Sequence, residues 1–277
     1  MYHTFLRFPN FRDKALTLSY DDGSVSDVKM VEILNRYGVK ATFNLNSGRF
    51  SQDGVHCITE EQAKTLYTPN GHEVAAHGYR HLSLTEVDAP MAVDDVLSDV
   101  KKLEEIFGRR MIGMAYANGR FDDNVVEILR NCGVKYCRTT KSTEDFTVPD
   151  DWLRLPATCH HDNPRLMELA EKFLEDATGG YYWSQKPKLF YLWGHSYEFD
   201  RKNNWNVLED FCKFVSGRED VWYATNGEIY RYVEAYDRLE FAAGGRFVFN
   251  PSAIDVFICY FGRKYIVPAG KTVDISE

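Results

Sequence analysis

The strongest constraint on this chain is a change of hydrophobic period that repeats along its length. Lys14 to Tyr20 alternates, with Leu16, Leu18 and Tyr20 on one face and Thr17 and Ser19 on the other, the two-residue period of a strand. After Asp21-Asp22-Gly23 the period becomes helical: Met30, Ile33, Leu34 and Tyr37 share a face, and Gly38 stands where a helix-ending glycine belongs. Val39 to Leu45 then reads as a second strand. Thr59 with Gln62 forms the pattern of a capping box. Glu73 to Ala76 reads as a strand, and Pro90 opens a helix striped by Val93, Val96, Leu97, Val100 and Leu103 up to Gly108. Strands are expected at Met111–Tyr116, Val134–Thr139, Arg154–Thr158, Leu189–Trp193 and Val221–Tyr223. Helices are expected at Asp122–Asn131, from Asn163-Pro164 to about Ala177, at Trp205–Val215 and at Glu228–Tyr236.

Repeated strand–helix units imply a parallel sheet, and roughly seven or eight of them suggest a (β/α) barrel rather than an open sheet. The expectation is therefore an α/β chain with a distorted (β/α) barrel over residues 1–236. After Asp237 the pattern turns to Gly, Pro and β-branched residues, with short strands expected at Phe247–Asn250, Val256–Phe261 and Lys264–Val267. Residues 237–277 are thus expected to form a small β-rich appendage.

Composition excludes some partners. The formal net charge of −8, with no dense Lys/Arg run, disfavours a phosphate backbone, so no nucleic acid is expected. No segment approaches the roughly 20 apolar residues that span a bilayer, so no membrane partner is expected. Met1 to Asn10 has no apolar core of a secretory signal, and the six cysteines (57, 132, 137, 159, 212, 259) are scattered as free thiols would be. The cytoplasm is the expected compartment. Oligomeric state leaves no trace in the sequence.

Each polar cluster follows an expected strand: Asp21 and Asp22 after the first, His77 and His81 after Glu73–Ala76, Asn118 after Met111–Tyr116, His195 after Leu189–Trp193. In a barrel these ends converge on one rim. His77-x-x-x-His81 sets two imidazoles one helical turn apart, a spacing that binds a divalent ion but equally describes two surface or capping histidines. Asp-Asp-Gly alone is also a hairpin turn, although the helical period after it argues otherwise. One of its carboxylates can complete a His-His-Asp metal site with open positions, while the other stays off the ion and takes a proton from the attacking water. A cationic His195 can protonate a departing amine, and a lone histidine is as often structural.

Ser19-Tyr20-Asp21-Asp22-Gly23 resembles the Thr-Phe-Asp-Asp-Gly first motif of the NodB-type polysaccharide deacetylases, carbohydrate esterase family 4. Glu73 to His81 is similar to that family's second motif, which ends His-Ser/Thr-x-x-His. Lys40-Ala41-Thr42-Phe43-Asn44 resembles its Lys-Ala-Thr-Phe-Phe strand. The resemblance implies a distorted (β/α) barrel that hydrolyses an N- or O-acetyl group on a sugar or oligosaccharide. It implies Asp21 as general base and His195 as general acid. It implies Asp22, His77 and His81 as ligands of one divalent ion, zinc before cobalt, nickel or manganese.

The match is weaker elsewhere and points to a divergent branch. The third motif, Arg-x-Pro-Tyr, is replaced by Ala115-Tyr116-Ala117-Asn118-Gly119, so the arginine that pairs with the base is missing. Arg138 is either its substitute or an ordinary surface arginine, and the Asn118 N–H remains available as an oxyanion donor. Asp150-Asp151-Trp152 only echoes the fourth motif. The fifth, Leu-x-His, carries one extra residue as Leu192-Trp193-Gly194-His195. Tyr116, Asn118, Arg138, Trp193, His160 and His161 are the expected substrate contacts. His160 and His161 are also read as ligands of a second ion or as an exposed polar loop, and Trp193 as a sugar platform or as core. Two other functions stay open: hydrolysis of cyclic amides or imides on the same fold, and carbohydrate binding by a vestigial site.

Overall fold

The computed structural model describes residues 4–51, 54–176 and 186–276. One parallel sheet organises them. Its order is Leu155–Ala157, Tyr136–Ser142, Gly113–Ala115, Glu73–Ala76, Ala41–Leu45, Lys14–Asp21, Lys188–Gly194 and Cys159–His160, with Val221–Tyr223 also paired to Lys14–Leu16. The two ends of that order are consecutive pieces of one short run. Residues 155–157 lie on Tyr136–Ser142, and Cys159 and His160 lie on Leu192 and Trp193. Between them Thr158 donates its N–H to the Tyr191 carbonyl at 2.8 Å. The sheet is therefore barrel-like, the distorted form expected, without full closure.

Local chemistry explains where the helices begin and stop. Helix Asp27–Tyr37 ends on Gly38 at φ 66, a left-handed conformation that suits glycine. Thr59 and Gln62 make both bonds of the capping box at helix Glu60–Leu66. Asp88 caps helix Ala89–Phe107, with Pro90 in its first turn. The helix expected from Asn163-Pro164 starts later, at Leu166, because Asn163 is spent in a turn that accepts the Arg165 N–H. Its expected end, Ala177, lies outside the described residues. Sequence reasoning did not find strand Thr4–Arg7, helix Tyr197–Lys202 or strand Thr272–Asp274.

Strand Lys14–Asp21 is buried at every position. Leu16, Leu18 and Tyr20 pack in the main apolar core with residues of the surrounding helices. The other face is polar and hydrogen bonded. Thr17 Oγ1 donates to Asn226 Oδ1 at 2.8 Å, and Asn44 Nδ2 donates to Ser19 Oγ at 2.9 Å and to Asp21 Oδ1 at 2.8 Å. Alternation thus sends a polar column through the sheet that ends at Asp21.

Two small antiparallel sheets lie apart from the parallel one. One joins Thr4–Arg7 to Val256–Tyr260 and Arg263–Val267; the other joins Glu240–Phe241, Phe247–Phe249 and Thr272–Asp274. Tyr232, on helix Asn226–Asp237, ties the first of them to the larger unit: its hydroxyl donates to the Arg7 carbonyl at 2.7 Å and accepts the Phe257 N–H at 2.9 Å. No helix among the described residues is long and apolar enough to cross a membrane.

Candidate active site at the strand ends

Asp21 ends its strand in register with Asn44, and Asp22 leaves the strand at φ 79. That conformation is strained for a residue with a Cβ and turns the second carboxylate toward the rim. There Asp22 Oδ1 lies 3.4 Å from His81 Nε2 and 3.7 Å from His77 Nε2. Oδ1 is buried and makes no hydrogen bond. The three side chains offer ligand atoms within 4.8 Å of one another.

His77 is fixed from behind. Its Nδ1 sits 2.9 Å from the Ala115 carbonyl, which can only accept, so Nδ1 carries the proton and Nε2 presents a lone pair. Its backbone N–H donates to Asp99 Oδ2 at 2.9 Å, and Asp99 also accepts the Ser47 N–H at 2.8 Å and the Ser47 hydroxyl at 2.6 Å. The two histidines do not share a helix, contrary to the expectation from their spacing. They face each other across a loop that turns at Gly78, φ 85, and His81, φ 61. A Cβ on Gly78 would meet Asp95 Oδ2 at 2.7 Å. Asp95 in turn accepts the Arg80 N–H at 3.0 Å and pins the loop to helix Ala89–Phe107.

Asp21 stands beside this set. Burial alone would raise its carboxyl, but the Arg138 guanidinium, with His77 and His195, holds it down at about 2. His195 reaches both acids, with Nε2 at 4.0 Å from Asp21 Oδ2 and from Asp22 Oδ2, and its Nδ1 lies 3.2 Å from Glu198 Oε1. Burial would lower the imidazole's pKa, yet Glu198 and the two aspartates raise it above the ordinary histidine value.

Residues 9–137 match the model of the polysaccharide deacetylase family. A peptidoglycan deacetylase of Helicobacter pylori is 27% identical over 138 residues, 48% of this chain and 44% of that protein. Over that stretch the chain is similar to the polysaccharide deacetylases. The alignment spans less than half of that curated deacetylase. In fold, the chain resembles a Mycobacterium smegmatis protein classed with the polysaccharide deacetylases, at TM-score 0.62 and 19% identity over 84% of this chain and 94% of the other. It also resembles the allantoinase PuuE, at TM-score 0.59 and 17% identity over 81% and 91%. At these identities the structural likeness is one of fold.

Against the deacetylase motifs, the departures of this chain become specific. Arg138 is fully buried, which excludes the surface reading, and its Nη2 donates to Asp21 Oδ2. It comes from the neighbouring strand, Tyr136–Ser142, not from the third-motif segment. Asn118 does stand at the rim, exposed, at φ 56, with its Nδ2 donating to Ser83 Oγ at 3.0 Å. Two expected substrate contacts are corrected. Tyr116 is 1% exposed, stacks on Phe121 and donates its hydroxyl to the Leu153 carbonyl at 2.8 Å, so its ring is packing. Trp193 is only 9% exposed, with the Arg138 guanidinium over one face at 4.4 Å and His160 in a T-shaped contact, so its ring is mostly packing.

His160 and His161 are not an exposed loop. They meet Asp162 and Glu198 in a second cluster of ligand-type side chains. Glu198, Asn44, Asp95 and Asp99 were missed by sequence reasoning. Glu198 left no readable signal, since its helix, Tyr197–Lys202, is too short to show a period. Asp95 and Asp99 did leave one, as acids inside the apolar stripe of Val96 and Val100.

Proposed function

We propose that this protein is a metal-dependent hydrolase that removes acetyl groups from an N- or O-acetylated sugar or oligosaccharide. Asp22, His77 and His81 are the proposed ligands of one divalent ion, zinc before cobalt, nickel or manganese. The observation that carries the reading is the orphaned Asp22 Oδ1 facing two imidazole nitrogens, with a second, ionised carboxylate beside it. Such a donor set, two nitrogens and one oxygen with positions left open, suits a catalytic first-row ion. When bound, the ion supplies Lewis acidity to the acetyl carbonyl and lowers the pKa of water beside it.

The chain's own residues supply the rest. Asp21 accepts the proton of the attacking water, and Arg138 keeps it ionised while lowering its basicity. The Asn118 backbone N–H is the proposed oxyanion donor. His195, charged through Glu198 and the two aspartates, gives its proton to the departing nitrogen or oxygen. The cytoplasm remains the proposed compartment, on six free cysteines.

The altered third motif and the shared fold with PuuE favour one second reading, hydrolysis of a cyclic amide. Metal-loaded protein assayed side by side on acetylated chitooligosaccharides, acetylated monosaccharides and cyclic ureides tests both. Acetate release that disappears in Asp22→Asn supports the first. Ring opening without acetate release would replace it with the second. Glycan binding with no turnover on any substrate would leave a vestigial site.

A further inference from the structure

The second cluster sits behind His195, on the far side of Glu198. Glu198 Oε1 faces His195 Nδ1, while Oε2 lies 3.0 Å from His161 Nε2 and 3.2 Å from His160 Nε2. Neither of these short contacts has hydrogen-bond geometry. His161 Nδ1, His161 Nε2 and Glu198 Oε2 are all buried and without a hydrogen-bond partner. His161 is 1% exposed, and its ring packs against Tyr20 at 5.8 Å and Phe199 at 4.2 Å. Gly194 lets the ring in, since a Cβ there would lie 2.0 Å from His161 Nδ1. Asp162 completes the group, with Oδ1 3.7 Å from His161 Nε2, and Lys202 pairs with its other oxygen.

Buried imidazoles are ordinarily satisfied by hydrogen bonds. Here two imidazole Nε2 atoms stand 3.0 and 3.2 Å from one carboxylate oxygen without making any. Ligands of a tetrahedral ion, bonded at 2.0–2.1 Å, stand about 3.3 Å apart, close to the spacing of these atoms. We propose that His160, His161 and Glu198, with Asp162 as the fourth ligand, bind a second divalent first-row cation. Its carboxylate ligand also holds His195 by the opposite oxygen. The proposal does not rest on the deacetylase reading. The competing arrangement is a metal-free relay in which Glu198 serves only as the acceptor of three histidines. One contact belongs to that arrangement: the Asp162 N–H lies 3.2 Å from His160 Nδ1, which would leave the proton on Nε2.

Metal content decides between them. The chain, stripped with chelator and equilibrated with micromolar Co²⁺, is analysed by mass spectrometry for cobalt per protein. Wild type is expected to hold two ions, and Asp22→Asn and Glu198→Gln one each. His160→Gln, at the half-exposed rim, is expected to match Glu198→Gln, which guards against a folding defect in either variant. Equal cobalt in wild type, Glu198→Gln and His160→Gln overturns the second site in favour of the relay. Loss confined to Asp22→Asn would leave the first site standing and remove this one. Loss confined to the Glu198 and His160 variants would keep this site and remove the first.

Discussion

Strand Lys14–Asp21 carries charge at both ends, and the two ends are built on opposite principles. At its start Lys14 is 1% exposed, with Nζ 2.6 Å from Asp220 and 3.0 Å from Asp176. Two carboxylates answer one ammonium, and both reach solvent. At its end, about 23 Å away at strand rise, Asp21 is answered by Arg138 and Asn44, while Asp22 keeps an oxygen with no partner. A charge with all its partners in place contributes to the fold and little else. A charge left incomplete, against two imidazole nitrogens, costs the fold something and is where a ligand can act. Barrels commonly separate stability and chemistry between their two faces in this way.

Asp21→Asn tests whether the upper end joins the two roles. Loss of the proposed base should lower kcat/KM for acetate release by about 10²–10⁴-fold. The same change leaves the buried Arg138 guanidinium unpaired, which should cost about 3–5 kcal/mol in chemical denaturation. Adding Arg138→Met should restore most of the stability and none of the activity. A double variant as unstable as the single one would show that the pair is not what Arg138 is buried for.

Between these extremes lies Asp27, a carboxyl with no cation. It is fully buried, accepts the Tyr67 hydroxyl at 2.6 Å and the Ser196 hydroxyl at 2.5 Å, and burial pushes it up to about 7 against those bonds. Its folded pKa is above the unfolded one, so the native state holds the extra proton between about pH 4 and 7. Stability from this group is therefore complete below pH 4 and declines as pH rises to 7, by about 2–4 kcal/mol. Asp27→Asn should remove that decline, since both hydroxyls can reverse, and thermal unfolding followed from pH 4 to 7 measures it. An unchanged slope in the variant would assign the pH dependence elsewhere.

The fold was legible because its signals are local and repeated. Leu16, Leu18 and Tyr20 give a strand period that no helix can share, and Gly38 and Gly108 mark helix ends where the chain needs positive φ. The site was legible as residue types at strand ends, since Asp21, Asp22, His77, His81 and His195 do converge. Its supports were not. Arg138 reaches Asp21 from the strand after the one where a motif would place it, and only three-dimensional register reveals that substitution. The His77–His81 spacing suggested a helix because spacing says nothing of φ, and Gly78 and His81 turn the chain instead. Glu198 lay hidden in a helix of six residues, too short to show a period.

The smallest effect belongs to the lower end. Lys14→Met removes the ammonium and leaves Asp220 and Asp176, whose side chains are 36% and 86% exposed and can hydrate, so the cost should stay within about 1 kcal/mol. Asp220→Asn does the reverse: the buried ammonium keeps only the solvent-facing Asp176, and stability should fall by about 1–2 kcal/mol. The asymmetry follows from which partner is buried, not from how many bonds are broken. Neither variant should change kcat/KM by more than about twofold, because no group at this end touches the rim. A tenfold change in kcat/KM in Asp220→Asn, with unfolding unaltered, would mean that the polar column from Thr17 to Asp21 transmits charge along the strand, and the separation of the two ends would fail.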